Sequence, residues 1–417
     1  MERSRVKASA RALIGSALIV SCVAGIFYIY SRPSRNGFGA EHDFVTVIAG
    51  VHCAIDRCDP YDSPTLEREF PARMGGYTPS HFRPEWPVYP PGTFLLLFPL
   101  SLLPWPVLSM VWMLSCFVSL AAALVVLFLY CKAYRDVLSA IPFVILLADG
   151  SIGWAVQLGQ PALIAASTLT LAIVALVPGL MPVTGGVLLA ISLCLKPQGA
   201  YLCALYFLLL ARTRVPALAA CLFTAAAAAG GMLLFYVRLG SLAYLGHLSA
   251  NIKLAMQPGR DADFSRMNSD SASFLNLQAF LARFLDNPHL ANQLTYAVCV
   301  LVAGLLGFVC WRRQNIALRP YTIVAVLVMI QLLGSYHRLY DHAYMLAAIP
   351  GLYEIKQRAL GQYLLFVVAL VIYHFSQLHG LTIHGFGPFP SGAPVELLIA
   401  GLCLYSLWRN RPVLRPL

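Results

Sequence analysis

The chain has 417 residues, of which 59% are hydrophobic and only 11% charged, with a mean hydropathy of +0.72. A soluble domain carries roughly 25% charged residues, so this composition excludes one and points to an all-α polytopic membrane protein. The net charge of +11 sits in short connectors rather than in a basic patch interleaved with aromatics, which excludes a nucleic-acid partner.

In chain order, a basic start (Arg3, Arg5, Lys7, Arg11) precedes a first apolar span at 13–30. The run is long for the apolar core of a cleaved signal and lacks a clean small-residue cleavage site, so it reads as a retained span. An outward segment, 31–91, follows and concentrates carboxylates: Glu41, Asp43, Asp56, Asp59, Asp62, Glu67, Glu69 and Glu85. It also holds Cys53 and Cys58, which read either as a disulfide or as two thiols. The other cysteines lie mostly inside apolar spans as small hydrophobes. Residues 94–104 are apolar but too short to cross, and Pro99 and Pro104 interrupt them; a re-entrant or interfacial piece is expected.

Further spans are expected at 107–130, from 137 toward the polar stretch 149–160, at 163–177, up to Lys196, up to Ala211, and at 217–237. A second polar segment, 238–293, includes amphipathic pieces suited to the interface plane. Five more spans follow, for about twelve in all, within a single domain over 1–417. Connectors and tails assigned to the cytoplasm hold 16 of the 29 Lys and Arg but 3 of the 18 Asp and Glu, so both termini are placed inside.

With that orientation the unusual polar groups fall at one face: Asp43, Asp149, Lys196, Gln198, Arg338, Asp341, His342 and the histidines at 374–384. A transporter or flippase of lipid-linked glycans is the competing reading, and it calls for ionisable groups along a path through the middle. The one-sided distribution favours a reaction at the membrane–water interface. His374, His379 and His384 are spaced by five, unlike a helical i, i+4 ligand pair, and no metal is expected.

Asp43-Phe44, Asp59-Pro60-Tyr61 and Tyr89-Pro90-Pro91, then Gly159-Gln160, Lys196-Pro197-Gln198 and Tyr340-Asp341-His342, together resemble glycosyltransferase family 87. The resemblance runs from the first outer segment to the tenth span. In place of the family's Trp-Asp-His-His-like run this chain has Tyr340-Asp341-His342-Ala343. The resemblance implies a GT-C fold in a bacterial inner membrane, with its active site facing the periplasm or exterior in an outer loop after the first span. It implies transfer of a hexose, mannose foremost, from a polyprenyl-phosphate donor to a lipid-linked or glycan acceptor, with inversion and no required cofactor. A GT-C-like oligosaccharide ligase is a further alternative.

Such chemistry needs a base for the acceptor hydroxyl and donors for the departing phosphate. Phosphate leaves readily, so the second carboxylate of glycoside hydrolases is not required. Asp43 is the candidate base, against a plain helix-capping role. Lys196 reads either as a phosphate ligand or as a snorkelling helix anchor. Gln160, Gln198, Arg338 and His342 are candidate donor-site residues, with Arg338 and Asp341 expected as an ion pair. His42, Asp59, Tyr61, Tyr89, Asp149 and Asp341 are supporting candidates. Asp59 most simply starts a turn, and Tyr89-Pro90-Pro91 holds an extended entry into the next element.

Overall fold

The computed structural model describes residues 2–30, 42–73, 87–148, 150–209, 214–260, 262–265, 267–268, 274, 276–285, 287–312, 319–379, 382–383, 387–388 and 392–409. The chain enters through α1 (Glu2–Tyr30) and continues with α2 (His42–Asp56) and α3 (Ser63–Arg73), both within the first polar segment. Next come α4 (Pro91–Leu97), a 3-10 segment (Phe98–Leu102) and α5 (Trp105–Tyr130). The pair α6 (Val137–Ala148) and α7 (Gly150–Gln157) meets at a bend of 42°. The central helices are α8 (Pro161–Leu176), α9 (Pro182–Leu195) and α10 (Tyr201–Leu209), followed by α11 (Arg214–Leu239).

The second polar segment contributes α12 (Ala243–Ala255) and α13 (Leu277–Leu281), and α14 (Pro288–Arg312) and α15 (Pro320–Gly334) follow. A 3-10 segment (Leu339–Ala348) leads into α16 (Ile349–Lys356), and α17 (Leu360–His379) and α18 (Gly392–Arg409) end the series. Between the last two, β1 (Thr382–Ile383) and β2 (Gly387–Pro388) form a two-residue antiparallel ladder.

Proline sets many of these starts. Helices α4, α5, α8, α9, α15 and α16 each carry Pro in the first two positions, where the missing N–H has no intrahelical partner to lose. Helix α13 uses a side-chain cap instead, the Asn276 carbonyl accepting from Ala279 N–H at 3.1 Å.

Four helices are long and apolar enough to cross a membrane: Ala8–Tyr30, Trp105–Tyr130, Val215–Leu239 and Pro288–Arg312; the bent pair α6–α7 makes a fifth. The twelve spans expected from hydropathy are therefore not reached among the described residues. The shortfall is one of length. Helices α8, α9 and α15 have 16, 14 and 15 residues. At 1.5 Å per residue they reach about 21–24 Å, short of a hydrocarbon core of about 30 Å.

Length and burial go together. Helices α8 and α15 are buried along nearly their whole length, apolar on every side. The long helices α1, α11 and α14 instead expose apolar flanks, with Leu13, Ile14 and Leu18 on the first, Leu222 and Leu233 on the second, and Val300 and Leu301 on the third. Such flanks on crossing-length helices belong against lipid. The protein is membrane-embedded, with α8 and α15 buried among other helices and long helices that expose apolar flanks.

Close backbone approach makes that centre possible. A Cβ at Gly186 of α9 would lie 2.6 Å from the Pro216 carbonyl of α11, and one at Gly231 of α11 would lie 2.4 Å from the Pro91 carbonyl. Small residues at such crossings are how membrane helices pack tightly. One contiguous apolar core results, with a satellite of Phe264, Phe274, Ala279, Ala282 and Ala291 under the second polar segment.

Candidate active site

Two polar corners meet at the end of the bundle where α8 begins and α9 and α15 finish. The first is built on α2. Asp43 stands in its first turn, where a carboxylate complements the helix dipole. Its backbone N–H donates to the Leu158 carbonyl at 3.0 Å, and its carboxylate accepts from the Gln160 side-chain amide.

Gln160 precedes Pro161 at the mouth of α8, is only 2% exposed, and spends its side chain on Asp43 rather than on capping its own helix. The turn that aims it is fixed by Gly159, at φ +61°, a conformation easy only for glycine. The Gly159 carbonyl accepts from the Trp112 indole at 2.9 Å, and Phe44 stacks on Trp112 with centroids 4.2 Å apart. The residue after Asp43 and the residue before Gln160 thus grip one tryptophan, which sets the carboxylate–amide contact.

The second corner is built on a helix break. Helix α9 ends at Lys196, Pro197 cannot continue it, and a 3-10 turn (Pro197–Gly199) leads to α10. Gln331 of α15 satisfies the interrupted backbone. Its carbonyl accepts from Leu202 N–H at 2.7 Å and Cys203 N–H at 3.3 Å, and its amide donates to the Gly199 carbonyl at 2.5 Å. Gly199 must be glycine, since a Cβ there would lie 2.1 Å from the Tyr344 ring.

Lys196 does not run outward to solvent. It is buried, its ammonium pairs with Asp341 Oδ1, and it lies 4.6 Å from the centre of the Tyr340 ring. The other Asp341 oxygen accepts from His337 Nδ1 at 3.1 Å and from the Arg338 backbone N–H at 3.2 Å. Asp341 thus takes a charge partner from Lys196, 145 residues away, beside the backbone N–H of Arg338. Burial alone pushes the Asp341 carboxyl up, but the Lys196 ammonium and the His337 contact outweigh it and hold the group below the usual carboxylate range.

The corners adjoin through the Leu339–Ala348 segment, which packs on α7 and α8. Tyr340 sets its ring against Trp154 of α7 at 6.1 Å. Burial, then the charges of Tyr336, Asp43 and Asp341, push the Tyr340 phenol well above its ordinary value. It stays protonated between the two carboxylates. His342 is buried beside this group, and Gln198 is half-buried on the 3-10 turn. Arg338 donates Nε–H to the Tyr336 hydroxyl at 2.8 Å and lies 5.6 Å from the centre of the Phe274 ring, so the second polar segment reaches this corner. Asp149 and the side chain of His42 lie outside the described residues, as do the side chains of the 374–384 histidines.

Asp59, Tyr61 and Tyr89 come together elsewhere. Asp59 accepts from Tyr61 N–H at 2.9 Å and pairs with His247 of α12. The Tyr61 hydroxyl donates to the Tyr89 carbonyl at 2.8 Å, and Asn251 donates to the Tyr61 and Pro87 carbonyls at 2.8 and 3.2 Å. Burial, with lesser contributions from Tyr244 and Asp59, raises the Tyr61 phenol. This network ties the first polar segment to the second, and a Cys53–Cys58 disulfide closes the end of α2. Thr93 then links the piece after Tyr89-Pro90-Pro91 to the Lys196 corner, donating to the Cys194 carbonyl at 2.7 Å.

Sequence reasoning passed over His337, Gln331, Asn251 and His247. Gln331 carried a readable signal, an amide inside an otherwise apolar span. Asn251 and His247 act through partners 164 or more residues away, which no local pattern suggests, and His337 meets Asp341 four residues on, a contact set by how the 3-10 segment turns.

Residues 87–336, more than half the chain, match the model of glycosyltransferase family 87. No curated protein and no solved structure matches the chain. The matched stretch holds Gln160, Lys196 and Gln198, while Asp43 precedes it and Asp341 and His342 follow it. With its buried helix break and its apolar perimeter, the chain belongs to glycosyltransferase family 87, a family of sugar-transferring enzymes.

Proposed function

We propose that this protein transfers a hexose, mannose foremost, from a polyprenyl-phosphate donor to a lipid-linked or glycan acceptor at the outer face of a bacterial inner membrane. The observation that carries the reading is the adjacency of two unlike corners. One presents an acid held by an amide, Asp43 on Gln160; the other presents a buried cation, Lys196, held by Asp341 beside Tyr340.

In this reading Asp43 takes the proton of the acceptor hydroxyl as that oxygen bonds to the anomeric carbon. The bond from the anomeric carbon to the phosphate oxygen breaks, and polyprenyl phosphate departs with the electron pair. Attack from the face opposite the phosphate inverts the anomeric centre. Gln160 fixes the orientation of the Asp43 carboxylate, so the base meets the hydroxyl in one geometry rather than many. An ammonium has three donors, and Asp341 engages Lys196 on one side while the charge growing on the leaving phosphate calls for the others. Arg338, His342 and Gln198 line the same corner as further phosphate or sugar ligands. The lipid tail of the donor stays among the apolar flanks.

The test is transfer from radiolabelled polyprenyl-phosphate mannose to a membrane-lipid extract by purified wild type and Asp43→Asn. Labelled product from wild type alone supports donor, activity and base together. Equal product from both removes Asp43 from the mechanism. If neither it nor other polyprenyl-phosphate hexoses yield product with folded wild type, the donor class is wrong.

A further inference from the structure

One member of the Lys196 corner has no part in the reaction as described. His337 is fully buried, with Nδ1 3.1 Å from Asp341 Oδ2. Its ring meets Tyr344 at 6.1 Å, at 62° between planes. Its Nε2 is buried with no hydrogen-bond partner among the described residues. A buried polar atom without a partner is a cost to folding, and an apolar ring in the same place would avoid it. The position nevertheless carries an imidazole with one nitrogen committed to Asp341.

The committed nitrogen has a definite mechanical effect. A carboxylate turns through a broad, roughly two-fold torsional range unless its oxygens are held. Asp341 Oδ1 holds Lys196, so the plane of the group depends on what grips Oδ2. Two donors do: the Arg338 backbone N–H and His337 Nδ1–H. Nδ1 must carry the proton because it faces a carboxylate. The imidazole therefore locks the acid that locks the lysine.

We infer that His337 is a positioning residue: by donating Nδ1–H to Asp341 it sets the carboxylate so that Lys196 is held under Tyr340 and presented to the donor phosphate. The inference rests on the phosphate-holding role of Lys196 proposed above. It differs from a packing role for the ring against Tyr344, because packing is served by any flat ring and positioning only by a donor at Nδ1.

The substitutions separate the two. In His337→Asn the side-chain amide nitrogen falls where Nδ1 lay, keeping the donor without the ring. In His337→Phe the ring remains without the donor. In His337→Gln the amide reaches the place of Nε2 instead. Each would be purified in lipid nanodiscs and assayed for binding of a short-chain polyprenyl monophosphate, for donor and acceptor KM, and for thermal melting. His337→Asn is expected within about threefold of wild type in phosphate binding and donor KM. His337→Phe and His337→Gln are expected to weaken both by on the order of tenfold or more, the scale of a hydrogen bond to a charged group, with acceptor KM unchanged. His337→Phe should melt no lower than His337→Asn.

Phosphate binding by His337→Phe equal to wild type overturns the inference, as do equal losses in Asn and Phe variants. So does wild type that fails to bind the phosphate. Wild type that binds the phosphate but transfers no sugar sinks the proposed transfer reaction instead, and the binding series still decides the role of His337.

Discussion

Among the described residues, two Lys–Asp pairs lie near opposite ends of α15, and they differ in the exposure of the carboxylate and in what surrounds it. Lys356–Asp136 sits where α16 finishes and α6 begins, with the Asp136 side chain 48% exposed. Asp136 caps α6 in the ordinary way, accepting from Ser139 N–H at 2.9 Å, and Lys356 also reaches the Ser139 hydroxyl. Lys196–Asp341 has side chains 9% and 0% exposed, and it adjoins an imidazole, a tyrosine face and a broken helix. Lys356 is as covered as Lys196, at 10% exposed, but a pair whose carboxylate is open to solvent and caps a helix is accounted for by folding alone. A buried pair loses much of its attraction to desolvation, so its retention calls for another reason. In the function proposed above, this contrast makes one end of the bundle an anchor and the other the site.

The largest effect separating the ends should come from Asp43→Asn. Loss of a general base costs about 10²–10⁴ in turnover, while the melting temperature should hold. Transfer kinetics and differential scanning fluorimetry on one preparation check both. Lys196→Met comes next: stranding a buried Asp341 costs roughly 3–5 kcal/mol of stability and removes the phosphate partner too. Adding Asp341→Asn should return most of that stability and none of the activity, a double-mutant result that a purely structural pair would not give.

Acid should distinguish the ends as well. Asp341 has its carboxyl held below the ordinary value of about 3.9. Its contribution is therefore fully present above that value and is lost as pH falls through the lower folded one. Melting measured from pH 7 downward should stay level to about pH 4 and drop below it, and the drop should shrink in Asp341→Asn. At Asp136, slight burial opposes ionisation, but Lys356 and Ser139 win and the carboxyl is again held low. Its exposure leaves that pair screened, so Asp136→Asn should change the acid limb little.

Smaller effects test the scaffold. Tyr61→Phe removes the bond to the Tyr89 carbonyl and should cost about 1 kcal/mol with donor KM unchanged. Lys356→Met should alter stability by no more than about 1 kcal/mol and turnover not at all. A large turnover loss in Lys356→Met would erase the division between anchor and site.

Much of this molecule is legible without coordinates, and the boundary is physical. Hydropathy is local, so α1, α5, α11 and α14 stand out as spans from their own residues. Local turn chemistry likewise announces the break at Lys196-Pro197-Gln198 and the turn at Asp59-Pro60-Tyr61. For α8, α9 and α15 the same signal gives apolar helices that fall short of crossing length, and it does not say what surrounds them, because an apolar helix buried in protein and one buried in lipid have the same composition. Prolines and turns cut these three short, and only packing shows that the central ones face other helices.

For the site, residue types together with the family resemblance marked Asp43, Gln160, Lys196 and Asp341 as candidates. Their partnerships were not legible. Asp43 meets Gln160 across 117 residues and Lys196 meets Asp341 across 145, and neither separation leaves a periodicity to read. The nearer Arg338 was the natural guess for Asp341, and it does give its backbone N–H, but the buried ammonium on Asp341 Oδ1 comes from Lys196. His337 escaped notice because its meaning depends on where the Asp341 carboxylate points. Composition and local pattern determined that this is a helical membrane protein. Which acid is aimed by an amide, and which is locked between a lysine and an imidazole, was decided by helix packing, because hydrogen bonds act over about 3 Å between atoms that only the fold brings that close.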